Sequence, residues 1–247
     1  MTYCLGIKVR DGLVAIADTR LTSGNECSVG KKLFVHQREN HSMFIMASGL
    51  RSVRDKLITY FKEECLQLND LKYDRLYKAV NGLAEQLRRV AEEDKQHLTN
   101  SGLFFNINVI VGGQLENDEE HRLFLLYPEG NWIEITTEGS PFIIIGNTGY
   151  GKPLLNRTLT YESSIKFALK TGFLSFDSTR VSANDVDFPI DVVIYRNNSY
   201  QILEHRLERK DVADVTSFWQ GVLSSSIDRM PEGWLDLVLN KQNILQI

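Results

Sequence analysis

The N-terminal part of the chain alternates between apolar runs and short polar turns. Apolar residues dominate from Tyr3 to Val9 and again from Leu13 to Ala17, with the polar turn Arg10-Asp11-Gly12 between the two runs. Runs of this length bounded by turn residues are typical of β-strands, and the short connection predicts an antiparallel hairpin. Such a hairpin returns Asp18, which follows the second run, to the neighbourhood of residue 2.

Two more strand-like runs lead into a helical region. The third run opens at Lys31-Lys32 and the fourth ends at Ser48-Gly49. Apolar residues then recur at the spacing of amphipathic helices, at Val53, Leu57, Phe61 and Cys65 and at Leu76, Val80, Leu83, Leu87 and Val90. Further strands are predicted at 103–111, 123–127, 132–135, 142–145, 190–195 and 201–207, and further helices near 165–173 and 212–223.

Helices that bracket antiparallel strands predict an α+β fold in which two antiparallel sheets pack face to face with helices outside them, a four-layer αββα sandwich. We expect one domain over residues 1–247, with a core at 2–205 and a C-terminal helical extension at about 208–247. The last fourteen residues are strongly apolar, so we expect this extension to pack against something, either between subunits or on its own subunit.

Composition narrows the class of protein. The 28 basic and 32 acidic residues give a formal charge of −4, so no basic surface that would suit nucleic acid is expected. The sequence offers no membrane-spanning run and no signal peptide, and its three cysteines lack disulfide or metal-ligand spacing. The five histidines likewise lack ligand spacing. We therefore expect a cytoplasmic protein without a metal or cofactor.

Thr2 is the residue with the clearest catalytic potential. If Met1 is removed, the Thr2 hydroxyl and a free α-amine belong to one residue, and methionine before a small residue is normally trimmed, so no long propeptide is expected. An α-amine with a pKa of about 7.7 to 8.0 is partly neutral near pH 7 and can accept the hydroxyl proton. Thr2 is therefore a candidate nucleophile with its own base.

A second motif needs to be weighed. Residues 146–152, Gly-Asn-Thr-Gly-Tyr-Gly-Lys, match the first seven positions of a phosphate-binding loop and follow an apolar strand. The eighth position is Pro153, which has no hydroxyl for Mg²⁺, and the neighbouring strands are predicted to be antiparallel. We interpret these glycines as a tight turn that needs positive φ.

The order Thr2, Asp18, Lys32 and Gly49, together with the later segments Tyr127-Pro128-Glu129-Gly130 and 143–149, resembles the proteasome-type β subunits. These are threonine peptidases of the N-terminal-nucleophile (Ntn) hydrolase fold. The resemblance spans about residues 2–205. Within the family, the short spacing between Thr22 and Lys32, the length and the C-terminal extension are most similar to the bacterial Anbu group, the ancestral β subunits.

The resemblance assigns a role to each residue, and the chemistry of the residue types agrees. Lys32 would favour the deprotonated hydroxyl of Thr2 and keep the nearby amine neutral, and Asp18 would hold Lys32 by a charge-assisted hydrogen bond. The backbone N–H of Gly49 would bind the oxyanion. The family's turn serine corresponds to Thr148 or Asn147 here. Ser182 supplies the serine of a later Asp-x-x-Ser motif, whose aspartate is not recognisable.

The function implied is a cytosolic proteasome-like threonine peptidase or amidase in a homo-oligomer of many subunits. Proteasome-like relatives form closed rings, whereas the Anbu group is associated with open, lock-washer-like assemblies. The expected substrate is a peptide or an unfolded protein, with an unknown unfoldase or adaptor as a further possible partner. Two alternatives stay open: a scaffold or ring-forming homologue whose site has decayed, and a non-proteolytic Ntn amidase.

Overall fold

The computed structural model describes residues 2–23, 26–67 and 70–239. It contains two compact units, the first ending at Glu208 and the second beginning at Arg209. The strands are β1 Tyr3–Val9, β2 Gly12–Asp18, β3 Arg20–Ser23, β4 Glu26–Val29, β5 Leu33–Arg38, β6 His41–Gly49, β7 Leu66–Gln67, β8 Asp70–Leu71, β9 Ile107–Gln114, β10 Arg122–Leu126, β11 Trp132–Glu134, β12 Phe142–Gly146, β13 Ile190–Arg196 and β14 Ile202–Leu207. The helices are α1 Arg51–Cys65, α2 Leu76–Asn100, α3 Lys152–Thr158, α4 Ile165–Ser182, α5 Ala213–Ile227 and α6 Asp236–Leu239, with a 3-10 turn at Arg209–Val212.

Two five-stranded antiparallel sheets form the first unit. One has the strand order β12-β1-β2-β13-β14, and the other has the order β11-β10-β9-β6-β5. The hairpin of β1 and β2 pairs Cys4 with Ala17 and Val9 with Gly12, as the alternating pattern predicts. Every residue of these two strands is buried, because other layers cover both faces of their sheet.

The layers follow from the apolar stripes of the helices. Buried side chains of α1 and α2, such as Phe61 and Leu83, join one apolar cluster with Ile45 and Val109 of the second sheet. A second cluster lies between the two sheets and joins residues of β2 and β13 to residues of β6 and β9. Helix α4 packs on the outer face of the first sheet, where Gly172 lies against Ile7 and Ile16. The predicted four-layer αββα sandwich is therefore confirmed.

Some elements differ from the sequence predictions. The strand predicted at 103–111 begins only at Ile107, because Leu103 and Phe104 are exposed and pair with no neighbouring strand. The hairpin of β3 and β4 and the short helix α3 were not predicted, since neither has a strong apolar period. Met1 and residues 240–247, which include the apolar Ile244, Leu245 and Ile247, lie outside the described residues.

The second unit is small and strongly apolar on its surface. It contains the 3-10 turn, α5 and α6, and α5 has no buried residue. Phe218, Ile227 and Leu237 are 70%, 68% and 73% exposed. One domain with an extension from about residue 208 stays a prediction. No helix among the described residues is both long and apolar enough to cross a membrane.

Candidate active site

The side chains of Thr2, Asp18 and Lys32 meet in one buried cluster. The Thr2 hydroxyl donates a hydrogen bond of 2.6 Å to Asp18 Oδ1, and Lys32 Nζ donates one of 2.7 Å to the same oxygen. Lys32 Nζ also donates to Thr2 Oγ1. Thr2 and Lys32 are each 5% exposed and Asp18 is 0% exposed. The three groups therefore form a closed triangle of charge-assisted hydrogen bonds around the hydroxyl oxygen.

The two sheets bring this triangle together. Thr2 immediately precedes β1, and Asp18 ends β2, so the antiparallel hairpin sets the two residues side by side. The backbone N–H of Tyr3 donates a bond of 2.8 Å to Asp18 Oδ1, which fixes the carboxylate against the start of β1. Lys32 precedes β5 in the other sheet and extends its ammonium to the hairpin. The site thus lies at one end of the sandwich, where both sheets contribute.

Burial and charge act in opposite directions on Asp18. Removal from water raises the pKa of the Asp18 carboxyl, while the Lys32 ammonium and the hydrogen bonds from Lys32, Thr2 and Tyr3 oppose that rise. The second oxygen, Oδ2, is buried and has no hydrogen-bond partner among the described residues. A buried carboxylate oxygen without a hydrogen-bond donor destabilises the folded state. Asp18 Oδ2 can therefore still accept a hydrogen bond, which no described residue supplies.

Two glycines let the backbone approach the nucleophile. Gly146, at the end of β12, has φ of +89°, and a Cβ there would collide with the carbonyl and the side chain of Thr2. The Thr2 carbonyl accepts a hydrogen bond of 2.7 Å from the Asn147 N–H. Gly49, at the end of β6, has φ of +139°, and a Cβ there would collide with the carbonyl of Asn106. A side chain at either position would displace the wall of the site.

Close packing explains two of the three glycines of the loop 146–152, Gly146 and Gly151, but not Gly149. Gly146 adopts positive φ, as predicted, whereas Gly149 and Gly151 do not. A Cβ at Gly151 would collide with Ser175 of α4, so this glycine allows α3 to lie against α4. The described residues contain no cluster of His, Cys, Asp and Glu that could hold a metal ion.

An open cavity of about 800 Å³ lies in front of Thr2. Its wall includes the two glycines and the loop that precedes β9. The lining residues are Thr2, Arg20, Leu21, Ser28, Lys32, Ala47, Ser48, Gly49, Leu50, Arg51, Ser52, Arg54, Phe104, Asn106, Asn108 and Gly146. A cavity of this size accommodates several residues of an extended peptide, so a carbonyl group can reach the Thr2 hydroxyl.

The structure does not bring two of the predicted residues into the triangle. Thr148 and Ser182 are exposed, and the Thr2 hydroxyl bonds to Asp18 and Lys32 rather than to either of them. Their catalytic roles stay predictions. Asp177, which the sequence places out of register for the family motif, is buried and pairs with Arg180 at 2.6 Å.

Sequence reasoning missed several residues that line the site. Arg54 and Asn106 line the cavity, whereas Ser175 supports the site from behind, with its hydroxyl 2.7 Å from the Tyr3 hydroxyl. A signal was present for the arginine, because Arg51 and Arg54 stand three positions apart in the first turn of α1 and share one face. No local pattern marks Asn106 or Ser175, since their positions depend on pairing between distant segments.

Comparisons with known proteins agree with the geometry. The family model described as proteasome subunit matches residues 2–188. A proteasome subunit alpha of Methanoregula boonei is 29% identical over 195 residues, which covers 78% of this chain and 73% of the relative. Two similar solved structures are Anbu, the ancestral beta-subunit, from Yersinia bercovieri, with 27% identity and a TM-score of 0.84, and the helical assembly of the Anbu complex from Pseudomonas aeruginosa, with 27% identity and a TM-score of 0.86. Each of the two matches covers 93% of this chain and 97% of the solved chain.

Proposed function

Because this chain belongs to the proteasome subunit family, we propose that it is a threonine peptidase or amidase of the Ntn hydrolase type, with Thr2 as its nucleophile. One observation carries the proposal: the Thr2 hydroxyl is held by both Asp18 and Lys32 and borders an open cavity. A purely structural threonine does not need an ammonium group at its oxygen. A nucleophile gains stabilisation of the alkoxide that forms during attack.

The mechanism begins with the removal of Met1, which frees the Thr2 amine. That amine accepts the hydroxyl proton while Oγ1 attacks the amide carbonyl, and the N–H of Gly49 binds the resulting oxyanion. When the C–N bond breaks, the proton passes to the departing amine and an ester remains on Thr2. Water then attacks the ester, gives one proton to the Thr2 amine, and releases the acid as the hydroxyl is restored.

Lys32 and Asp18 set the protonation states for these steps. The ammonium of Lys32 lowers the free energy of the Thr2 alkoxide, and its positive charge disfavours a second cation at the neighbouring amine of Thr2. Asp18 offsets the charge of Lys32 in a buried place, so the ammonium is tolerated there. The Thr2 hydroxyl, the Lys32 ammonium and the Asp18 carboxylate are already in contact in the triangle.

Covalent labelling tests this proposal directly. We expect a β-lactone or epoxyketone to add one equivalent to protein that has lost Met1, and peptide mapping to place the adduct on Thr2. Protein that retains Met1 should stay unlabelled, because an acylated nitrogen is not a useful base. Thr2→Ala should abolish the adduct, whereas Thr137→Ala, an exposed threonine, should leave it unchanged. Labelling of the Met1-bearing species would refute the mechanism.

A scaffold with a decayed site is the second candidate function. The observation that favours it is the exposure of Ser182 and Thr148, outside the hydrogen bonds of the nucleophile. A scaffold would assemble normally and take up no threonine-directed electrophile after Met1 removal. A non-proteolytic amidase would take up the electrophile but hydrolyse small amides in preference to peptides, so the two outcomes separate the alternatives.

We also propose that the protein is a cytoplasmic homo-oligomer. The similar Pseudomonas aeruginosa protein forms a helical assembly, and the second unit of this chain exposes a large apolar surface that includes Phe218, Ile227 and Leu237. Such a surface is unfavourable in water and is typical of an interface. Truncation after Pro231 removes Leu237 but keeps Phe218 and Ile227, so it tests whether the C-terminal segment takes part in the interface. We expect light scattering to show a smaller particle, and an unchanged mass would exclude that segment from the interface. An unfoldase or adaptor would then deliver peptide or unfolded substrate.

A further inference from the structure

Positive charge surrounds the nucleophile in a chain that is negatively charged overall. The cavity in front of Thr2 is lined by Arg20, Lys32, Arg51 and Arg54, and no described Asp or Glu lines it. The whole chain carries a formal charge of −4, so this excess is local. Positive charge concentrated in a concave site raises the local concentration of anionic ligands.

A smaller cavity of about 300 Å³ adjoins the first one. It shares Lys32, Ala47 and Arg54 with the larger cavity, which places the two side by side next to the nucleophile. Its lining combines apolar side chains with four basic residues and one acidic residue, Asp55. The remaining lining residues are Lys31, Leu33, Phe34, Ile45, Asp55, Ile58, Thr59 and Lys62. A lining of apolar and mostly basic side chains suits a side chain that has an aliphatic stem and a negatively charged end.

The cations of these cavities are incompletely neutralised by the protein. Asp18 offsets Lys32, but Arg51 and Arg54 share the single carboxylate of Asp55, which is 51% exposed. Arg54 donates from Nε and Nη2 to one oxygen of that carboxylate, at 2.9 Å and 2.7 Å. Two guanidinium groups and one carboxylate leave a net positive charge at this wall.

Two further basic residues add to the excess, whereas Lys31 is paired with Glu204. Lys62 lies over the Phe34 ring, 4.8 Å from its centroid, and pairs with no carboxylate among the described residues. Arg20 reaches Asp187 at 3.4 Å, while its buried Nε has no hydrogen-bond partner among the described residues. The uncapped N-terminus of α1, which carries Arg51 and no acidic residue in its first turn, contributes further positive potential.

From this arrangement we propose that the site selects substrates with an acidic side chain on the residue whose carbonyl Thr2 attacks, and that Arg54 determines this specificity. The inference rests on the proposed hydrolase function. The acyl part of the substrate stays bonded to Thr2 after the amine leaves, so the pocket nearest Thr2 holds that part. Arg54 lines both cavities, and a guanidinium binds a carboxylate with directed, charge-assisted hydrogen bonds.

Matched peptides that differ only by glutamate or glutamine at that residue test the proposal. We expect kcat/KM to be at least about tenfold higher for the glutamate peptide at low salt, since one charge-assisted hydrogen bond has roughly that effect. Arg54→Gln should bring the ratio close to one, and Arg54→Lys should keep part of it. Arg157→Gln, an exposed arginine that lines neither cavity, should keep all of it.

Binding to Thr2→Ala separates this inference from the hydrolase proposal, because it needs no turnover. We expect the glutamate peptide to bind at least about tenfold more tightly than the glutamine peptide, and added salt to weaken the preference. Equal binding of both peptides would overturn the inference even if Thr2 hydrolyses amides. A clear preference for glutamate in a protein that never hydrolyses amides would refute the hydrolase proposal alone. If Arg54→Gln does not fold, the glutamate-to-glutamine ratio of the protein that keeps Arg54 still decides whether the site prefers an acidic side chain, and Arg54→Lys then tests the role of Arg54.

Discussion

Two buried polar clusters at different places in the first unit use hydrogen bonds in opposite ways. The Gln114 amide donates to the Asp118 carbonyl at 3.2 Å and to Asn198 Oδ1 at 2.7 Å, and its oxygen accepts from the Tyr195 hydroxyl at 2.8 Å and the Asn198 N–H at 2.9 Å. All four positions of the amide are occupied. At the Thr2 cluster, by contrast, Asp18 Oδ2 has no partner among the described residues, and the hydroxyl borders a cavity.

The difference separates stability from reactivity. A buried amide whose donors and acceptors are all paired holds three chain segments in one arrangement and has nothing left to bind. A cluster that is to change its charge during a reaction needs spare bonding capacity and access to a ligand. The Thr2 cluster has both, whereas the Gln114 amide has no donor or acceptor left for a ligand.

The largest effect we expect concerns the rate at the Thr2 cluster. Thr2→Ala should lower amide hydrolysis by on the order of 10⁶, because loss of a nucleophile disables a coupled catalytic set. Lys32→Ala should cost nearly as much, while the fold persists, as measured by circular dichroism. Turnover above about a tenth of the unmodified rate in either variant would show that the cluster does not act as proposed.

A substitution in the other cluster should change stability and spare the chemistry. Gln114→Ala leaves the Tyr195 hydroxyl and the Asn198 N–H without their partner, and each buried unpaired group costs about 1 to 3 kcal/mol. We expect urea denaturation to show a loss of about 2 to 5 kcal/mol in the free energy of unfolding, with unchanged hydrolysis per folded molecule. The matched control is Gln96→Ala, which removes an exposed amide that bonds to Asn100. If Gln114→Ala lowers the free energy of unfolding no more than Gln96→Ala does, the stabilising role of the Gln114 amide is wrong.

The smallest effect we expect is a difference in alkylation rate among the three cysteines, which reports how well the thiol next to the nucleophile is buried. Burial raises the pKa of Cys4, two positions after Thr2, to about 12, and also raises the pKa of Cys65. The thiolate is the reactive form, so both thiols should resist iodoacetamide at pH 8, whereas the exposed Cys27 should react. Peptide mapping measures the three rates, and Cys27→Ser should remove the fast one. Rapid alkylation of Cys4 in folded protein would mean that the hairpin opens.

The sequence predicted the parts of the fold that depend on local patterns. The two apolar runs and the polar turn between them are enough to define the β1–β2 hairpin, and a hairpin fixes which residue faces which. The local pattern is therefore sufficient to place Asp18 beside Thr2. The amphipathic periods of α1 and α2 were equally clear, because each helix buries one stripe against the second sheet.

The sequence alone determined the α+β class, the first hairpin and the pairing of a threonine with an aspartate. Only the tertiary structure decided which side chains share the cavity, since Arg20 comes from β3, Arg54 from α1 and Asn106 from the loop before β9. The tertiary structure also left Thr148 and Ser182 exposed. Periodicity reports which face of an element is buried, but it carries no information on which distant elements meet, because that depends on how whole layers pack.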